Sequence, residues 1–571
     1  MSSFTPIRQR KLAQWALAYL AAAWVLLQVL GFVAESFEWP PQVARMATVL
    51  AAAGFVAVLV LAWYHGERGR QTASAAEVAI LGLVVVAGGT AAWLLRGDTQ
   101  PSATERPSAV AVEQNSIAVL PFVDMSAGRD QEYFSDGISE EILNTLARIP
   151  GLRVAARTSS FSFKNKDVNV EDVARQLRVA NVLEGSVRRA GERVRISAQL
   201  INAANGFEVW SESFDRDLKD IFAVQQEIGQ AIASKLRIQL SAEQTQATAA
   251  ATNQIAYDKY LRGRFFLAKR TPDGLQRARQ YFSESINDDP SFAPSYAGLA
   301  ATVLVLPLYT DVDVTELRPQ ARTAALRALE LDSTLAEGWA ALGYIRMSYD
   351  HDWDGAANAF EQALRLNPSD PNTRTWYGDY LTGKNELNAA IAQYRRAAEL
   401  DPLSAIRRIS LGWVLSSVRR LDQAAAELQL ATELDPSLVD GQTHLSRVRF
   451  FQGDHAGGIT GLERAVAQSG RRSAELGYLG YAYAVAGRRA EAEQLLRELN
   501  ARGGGSIHIA QAFIHVGLGD ADAAFNALEQ ARLAGDMWLT ENNPDLIFEP
   551  LRRDPRWKQL LNRMSIPVAD S

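Results

Sequence analysis

Three short stretches decide the fold: LRLNP at 364–368, AAELDP at 397–402 and TELDP at 432–436. Each ends in a proline, and successive prolines are 34 residues apart. Looser copies end upstream at Pro290 (INDDP) and at Ser333 (LELDS), the latter 35 residues before the first of these prolines. A fixed period of this length is typical of supersecondary units that stack against their neighbours. The repeat therefore predicts a solenoid, an architecture that usually binds other proteins and rarely carries chemistry.

Each unit resembles the tetratricopeptide repeat (TPR), two antiparallel helices with small residues where they cross. Gly378 and Gly412 occupy the crossing position in successive copies, and alanines recur in the helix that follows. Such small residues let two helices approach closely while large side chains fill the gaps beside them. The resemblance implies an all-α solenoid of about seven units over residues 254–534. An amphipathic capping segment is expected over 535–571.

In this repeat type, the residue after the crossing glycine or serine usually points into the concave groove, which is a family-level inference. These positions form an aromatic stripe with one acid and one base, and such a stripe suits a peptide with apolar anchors. The candidate partner-binding residues, including one from a neighbouring turn, are Tyr344, Asp379, Trp413, Arg447, Phe450 and Tyr481. Packing between repeats is the alternative, because aromatic residues at helical spacing are often core.

Composition excludes several kinds of site. The chain has 571 residues, a net charge of -6 and no cysteine, so disulfides, cysteine nucleophiles and thiolate metal sites are excluded. The charge balance gives no basic field that would indicate nucleic acid. The six histidines show no zinc-binding spacing, and there is no phosphate-loop, dinucleotide-binding or nucleophile-elbow motif. We therefore expect no catalytic residues, metal or cofactor, and no enzyme activity.

Three apolar runs near the N-terminus, at 12–33, 43–64 and 78–95, each have about the ~20 residues that cross a bilayer. They predict three transmembrane helices and the lipid bilayer as a partner. Basic residues lie in the N-terminal segment 1–11 and in the second connector, which predicts an N-terminus in the cytoplasm. Residues 96–571 would then be periplasmic, on a protein of the bacterial inner membrane.

A stretch rich in Pro, Ser, Thr and Ala at 96–115 predicts a flexible linker. Residues 116–240 follow with strand and helix patterns in the order βαβαβββα. In the middle strand of the last three, Val194, Ile196, Ala198 and Leu200 alternate with polar residues, which indicates one buried and one solvated face.

This segment resembles the TolB amino-terminal-like domain found in bacterial membrane proteins with TPRs. The resemblance depends on five motifs: LPF (120–122), SDGISEE (135–141), RTSSFSFK (157–164), VLEGSVRR (182–189) and WSESFDRD (210–217). It implies a small α+β domain. Related chains often carry a DNA-binding or cyclase domain before the membrane part. Only eleven residues precede the first predicted span here, so we expect neither output from a domain of this chain.

The sequence therefore predicts a membrane-anchored multidomain protein with three transmembrane helices, a TolB-like α+β domain and an all-α solenoid. Its expected function is that of a non-catalytic scaffold or envelope assembly factor that binds proteins or peptides. One alternative is a transmembrane signal transducer that relays periplasmic binding to a separate cyclase or transcription factor. Another is an accessory protein to a cyclase or transporter. The partner and the oligomeric state stay open.

Overall fold

The structure is a computed structural model in two units, Met1–Val110 and Ala111–Ser571. In the second unit it describes residues 113–238, 253–310, 312, 314–502 and 507–566. In the first it describes residues 16, 19–28, 48, 51, 55 and 59. There the Tyr19 hydroxyl donates to the Ala51 carbonyl at 2.8 Å, and the Tyr19 and Phe55 rings lie 6.1 Å apart.

None of the helices in these described ranges is long and apolar enough to cross a membrane. The predicted fold class, with its three transmembrane helices, and the predicted inner-membrane location are corrected on this finding. The span predicted at 78–95 lies outside the described residues, and those at 12–33 and 43–64 are described only in part. Runs of Ala, Leu and Val are also what buried helices use, so hydropathy alone does not separate the two cases.

A mixed sheet opens the second unit, and we call residues 113–238 the small domain. Its strands β1 to β6 are Ser116–Val119, Val123–Asp124, Arg153–Val154, Asn181–Ala190, Arg193–Asn202 and Glu208–Asp217. The strand order is β3-β1-β4-β5-β6, and β2 pairs with β4. Strand β1 runs parallel to β3 and β4, whereas β4, β5 and β6 are antiparallel. The expected order βαβαβββα is present, with β2 and a short helix added.

Helices cover both faces of this sheet. Helices α1 to α4 are Glu132–Ala147, Arg157–Phe161, Val170–Leu177 and Ile221–Lys235. On one face, the four apolar residues predicted along β5 are buried together with α1 and α4. On the other, α3 packs on Ala118 of β1 and Val182 of β4. Alternate residues of β1 and β4 thus enter two cores, because successive side chains of a strand point to opposite faces.

The solenoid is a series of paired helices, eight pairs among the described residues of 254–534, where the sequence indicates about seven units. The pairs are Gln254–Ala268 and Pro272–Asp288 (α5, α6), Ala293–Tyr309 and Val314–Leu331 (α7, α8), Ala336–Ile345 and Trp353–Leu366 (α9, α10), Pro371–Gly383 and Leu387–Leu400 (α11, α12), Ala405–Ser417 and Leu421–Leu434 (α13, α14), Val439–Phe451 and His455–Gln468 (α15, α16), Ser473–Val485 and Arg489–Asn500 (α17, α18), and Ile507–Leu518 and Ala521–Ala534 (α19, α20). The chain therefore contains TPR-like helical repeats.

Local chemistry explains the regularity of these pairs. A Cβ atom on Gly378 would lie 2.8 Å from the Tyr394 ring, so glycine is what allows α11 and α12 to cross this closely. The Asp370 side chain accepts hydrogen bonds from two backbone N–H groups at the start of α11, a favoured N-cap arrangement. After α9, the chain continues in a π-helical turn at Arg346–Asp350. A π turn accommodates an extra residue, which matches the 35-residue interval in this repeat.

The segment after the last pair, residues 536–566, is called the tail. It contains helix α21 (Met537–Asn542), a 3-10 segment at Leu546–Leu551 and helix α22 (Pro555–Arg563). The first helices of successive pairs contact one another and form what we call the inner surface. Helix α21 packs on α11 and the 3-10 segment packs on α19, so the tail lies along the inner surface and does more than cap the last repeat.

Candidate functional site

All six residues predicted for the groove lie on first helices of the repeats. Tyr344 is on α9, Asp379 on α11, Trp413 on α13, Arg447 and Phe450 on α15, and Tyr481 on α17. The side chains of Tyr344, Arg447 and Phe450 are buried, and those of Asp379, Trp413 and Tyr481 are partly buried.

The tail accounts for much of this burial. The Tyr344 hydroxyl donates to Glu541 Oε1 at 2.6 Å, and Arg447 forms an ion pair with Asp545. The Asn543 side-chain amide donates to the backbone carbonyl of Gly383 at 2.7 Å. The chain's own C-terminal segment thus makes polar contacts with three first helices, where a peptide partner was expected.

One part of the inner surface stays open. A cavity of about 190 Å³, which we call the inner cavity, is lined by Tyr344, Asp379 and Trp413 among the predicted residues. Trp376 and Tyr478 also line it, and the tail contributes Trp538 and Glu541. Arg447, Phe450 and Tyr481 instead line a pocket of about 10 Å³. The structure thus brings three of the six predicted residues to one cavity and packs the other three into a separate cluster.

Two carboxyl groups face the inner cavity, and neither forms an ion pair with a Lys, Arg or His side chain among the described residues. Tyr394 donates to Asp379 at 2.5 Å, and Glu541 accepts from Tyr344. Burial raises the pKa of Asp379 to about 7. It also raises the pKa of Glu541 to about 8, and the Asp379 charge acts in the same direction. Burial disfavours the charged form of an acid, so the tail packs best here when these acids are neutral.

A second cavity, of about 610 Å³, lies between the small domain and the solenoid, and we call it the domain cavity. A buried contact that we call the latch joins its walls. In it, Asp401 Oδ1 accepts from the Ser159 backbone N–H at 3.0 Å and from the Ser159 hydroxyl at 2.7 Å. Glu140 of α1 adds ion pairs with Arg157 and with Arg264 of α5. Charge-assisted contacts of this kind are stronger than neutral ones, so they hold the small domain against the repeats.

Arg270 and Arg407 line both cavities. Both guanidinium groups donate to the same oxygen, Oδ1 of Asn372. Arg407 is only 7% exposed. Burial lowers the pKa of Arg270, and the charge of Arg407 lowers it further. Two like charges therefore share one neutral acceptor beside open space.

Sequence reasoning missed the residues that face the predicted stripe from outside the repeats, such as Glu541 and Asp545. It also missed Arg407, which lies six residues before the predicted position on α13. The acidic stretch ENNPD at 541–545 was a usable hint, because the predicted groove carries an arginine. In the described part of the chain, no three His, Asp or Glu side chains are grouped to hold a metal ion.

Comparison with known proteins gives partial matches. Residues 113–231 match the family model of the HilA/YgeH-like transcriptional regulator, second domain. The chain is 39% identical over 211 residues to a Rhizobium meliloti protein named "Putative adenylate cyclase 3". That match covers 37% of this chain and 36% of the relative, so the chain spans about a third of it.

Transcriptional regulator HilA of Salmonella typhimurium is 28% identical over 132 residues, which cover 23% of this chain and 24% of that protein. Among solved structures, one match is YrrB, a TPR protein with an unusual peptide-binding site. The alignment covers 33% of this chain and 91% of the YrrB chain. The identity is 21% and the TM-score is 0.24, so the repeat architecture of this chain rests on its own helix pairs. The resemblance of residues 116–240 to the TolB-like domain stays a prediction.

Proposed function

We propose that this chain is a non-catalytic scaffold that binds a segment of another protein in the inner cavity. The observation that carries the proposal is an open space on an otherwise filled inner surface. Aromatic side chains from neighbouring first helices, including Tyr344, Trp376 and Trp413, line that space. Aromatic anchors in a partly enclosed pocket dominate the affinity of many protein interfaces.

The charge of the chain supports a protein partner over a nucleic acid. The net charge is -6, and nucleic-acid binding depends mainly on basic residues that neutralise phosphates. The hydrogen bond from Tyr344 to Glu541 joins the tail to α9 and gives the inner cavity a fixed wall. A wall that is already in place lowers the ordering cost of binding.

The test is peptide binding by the intact chain. Peptides selected from a displayed random library would be labelled and titrated by fluorescence anisotropy. We expect Trp376→Ala and Trp413→Ala each to weaken binding by about tenfold or more, as loss of an interface hot spot does. Leu430→Ala is the matched control, because this partly exposed side chain lies on the second helix α14. Thermal unfolding would show that each variant is folded. Affinity unchanged in both tryptophan variants would exclude this cavity as the site.

A second candidate function is signalling, in which binding is relayed to a separate cyclase or transcription factor. It is favoured by the names of two sequence relatives, "Putative adenylate cyclase 3" and "Transcriptional regulator HilA". A strain that carries Trp413→Ala would be compared with a deletion strain for cyclic AMP level and for transcript profile. Matching changes in the two strains would support signalling, and a change in neither readout would exclude it.

A further inference from the structure

Three arginines on the walls of the domain cavity have very different partners. Arg264 forms ion pairs with Glu140 and Glu337. Arg472 likewise pairs with two carboxylates, those of Asp440 and Glu475. Arg270 has no carboxylate within ion-pair distance among the residues that the structure describes, and its hydrogen bond to Asn372 is long, at 3.4 Å. Since buried or partly buried charges are normally paired, Arg270 is the exception on this wall.

Arg407 is also incompletely partnered. Its Nη1 donates to the Thr375 hydroxyl at 2.8 Å, but its Nε has no hydrogen-bond partner in the described structure. The nearest carboxylate oxygen, Oδ2 of Asp401, is 3.7 Å from that Nε. The other oxygen of Asp401 is taken by Ser159. Arg407 therefore keeps an unused donor while 7% exposed.

These two side chains converge where the cavities meet. Both donate to the Asn372 amide oxygen, and both line the inner cavity and the domain cavity. The two positively charged guanidinium groups repel each other, and the one neutral oxygen that they share offsets this repulsion only in part. An oxyanion at this point would neutralise both and would accept several of their N–H groups, the geometry for which guanidinium is best suited.

We propose that Arg270 and Arg407, with the Thr375 hydroxyl, form a binding site for an oxyanionic group, a carboxylate or a phosphate, of a ligand in this space. The proposal goes beyond partner binding and does not depend on it, because a small anion can occupy the site whether or not a peptide binds in the inner cavity. The anion accepts from the terminal Nη groups of Arg407 and Arg270, which line both cavities, while Thr375 orients Arg407.

The test uses the intact chain with inorganic phosphate and with succinate as separate probes, each titrated by isothermal calorimetry in a chloride buffer. We expect at least one probe to bind. Arg407→Gln and Arg270→Gln should each weaken that binding about tenfold or more, the effect of losing one strong charge-assisted contact. Arg365→Gln, at an exposed position on helix α10, is the matched control and should leave binding unchanged. The ratio of the two affinities decides between a phosphate and a carboxylate ligand.

A second readout separates an anion site from a structural role. In buffer without either probe, Arg270→Gln should unfold at the same temperature as the wild type or above it, because the substitution removes a repulsion. Addition of the bound probe should then raise the Tm of the wild type and not that of the variant. No binding of either probe at about 10 mM, a concentration that would detect millimolar affinity, overturns the proposal. So does binding that is equal in wild type and both arginine variants, or a large loss of stability in probe-free Arg270→Gln.

Discussion

Phe548 gives a quantitative test of how firmly the tail is docked. Its side chain is 0% exposed, and its ring lies 5.2 Å from that of Phe513 on α19 and 5.5 Å from that of Trp557. Truncation of a fully buried Phe to Ala costs about 3–5 kcal/mol through lost transfer free energy and the cavity left behind. The two ring pairs favour the upper part of that range, since such pairs add about 0.5–1.5 kcal/mol each. We therefore expect Phe548→Ala to destabilise the docked tail by about 4–5 kcal/mol.

The assay is native-state hydrogen exchange over residues 536–566, because a solenoid need not unfold in one step. The free energy of opening of the tail amides should fall in Phe548→Ala, while amides of α5 to α8 should change little. Leu533→Ala is the control, since this side chain is 63% exposed and surface substitutions usually stay within about 0.5 kcal/mol. A loss below about 1 kcal/mol in Phe548→Ala would refute the conclusion that the tail is part of the core.

Two further outcomes follow from the buried polar groups. Asp379 and Glu541 have a pKa raised by burial to about 7 and about 8, so the unfolded chain loses their protons first. The contribution of these two groups to the stability of the tail should be fully present below about pH 4 and should be lost as pH rises to about 8. Glu541→Gln, which can still accept from Tyr344, should flatten this fall in urea titrations at successive pH values, and an unchanged slope would contradict the assignment. Asp401→Ala should weaken the latch by about 2 kcal/mol, because the Ser159 N–H and hydroxyl lose a charged acceptor. Faster hydrogen exchange at Ser159 would report it, and unaltered exchange would mean that the latch contributes little.

The repeats could be predicted from sequence because their determinants are local. Contacts with near neighbours produce the patterns that were used: the 34-residue period, the crossing glycines such as Gly378, and the alternation along β5. The inner cavity could be predicted only in part. Tyr344, Asp379 and Trp413 were identified because a first-helix position recurs in each repeat, and that position points inward wherever the helices stack in the same way.

What faces those residues could not be predicted, because it comes from far along the chain. Asp545, the partner of Arg447, is 98 residues away, and Ser159, which binds Asp401, is 242 residues away. No periodicity links such positions. The three membrane helices were predicted chiefly from hydropathy, a property that membrane spans share with buried helices.

The docked tail also has a consequence for how the protein is made. The indole N–H of Trp353 in the third helix pair donates to the backbone carbonyl of Met564 at 3.1 Å, across 211 residues of chain. A solenoid can ordinarily fold from its N-terminus as it leaves the ribosome, since each repeat needs only its neighbours. Here the packing of early repeats is completed only when residues 536–566 have been synthesised. Until then their aromatic side chains are available to chaperones, and a chain that stops a few dozen residues early leaves the ribosome with that surface uncovered.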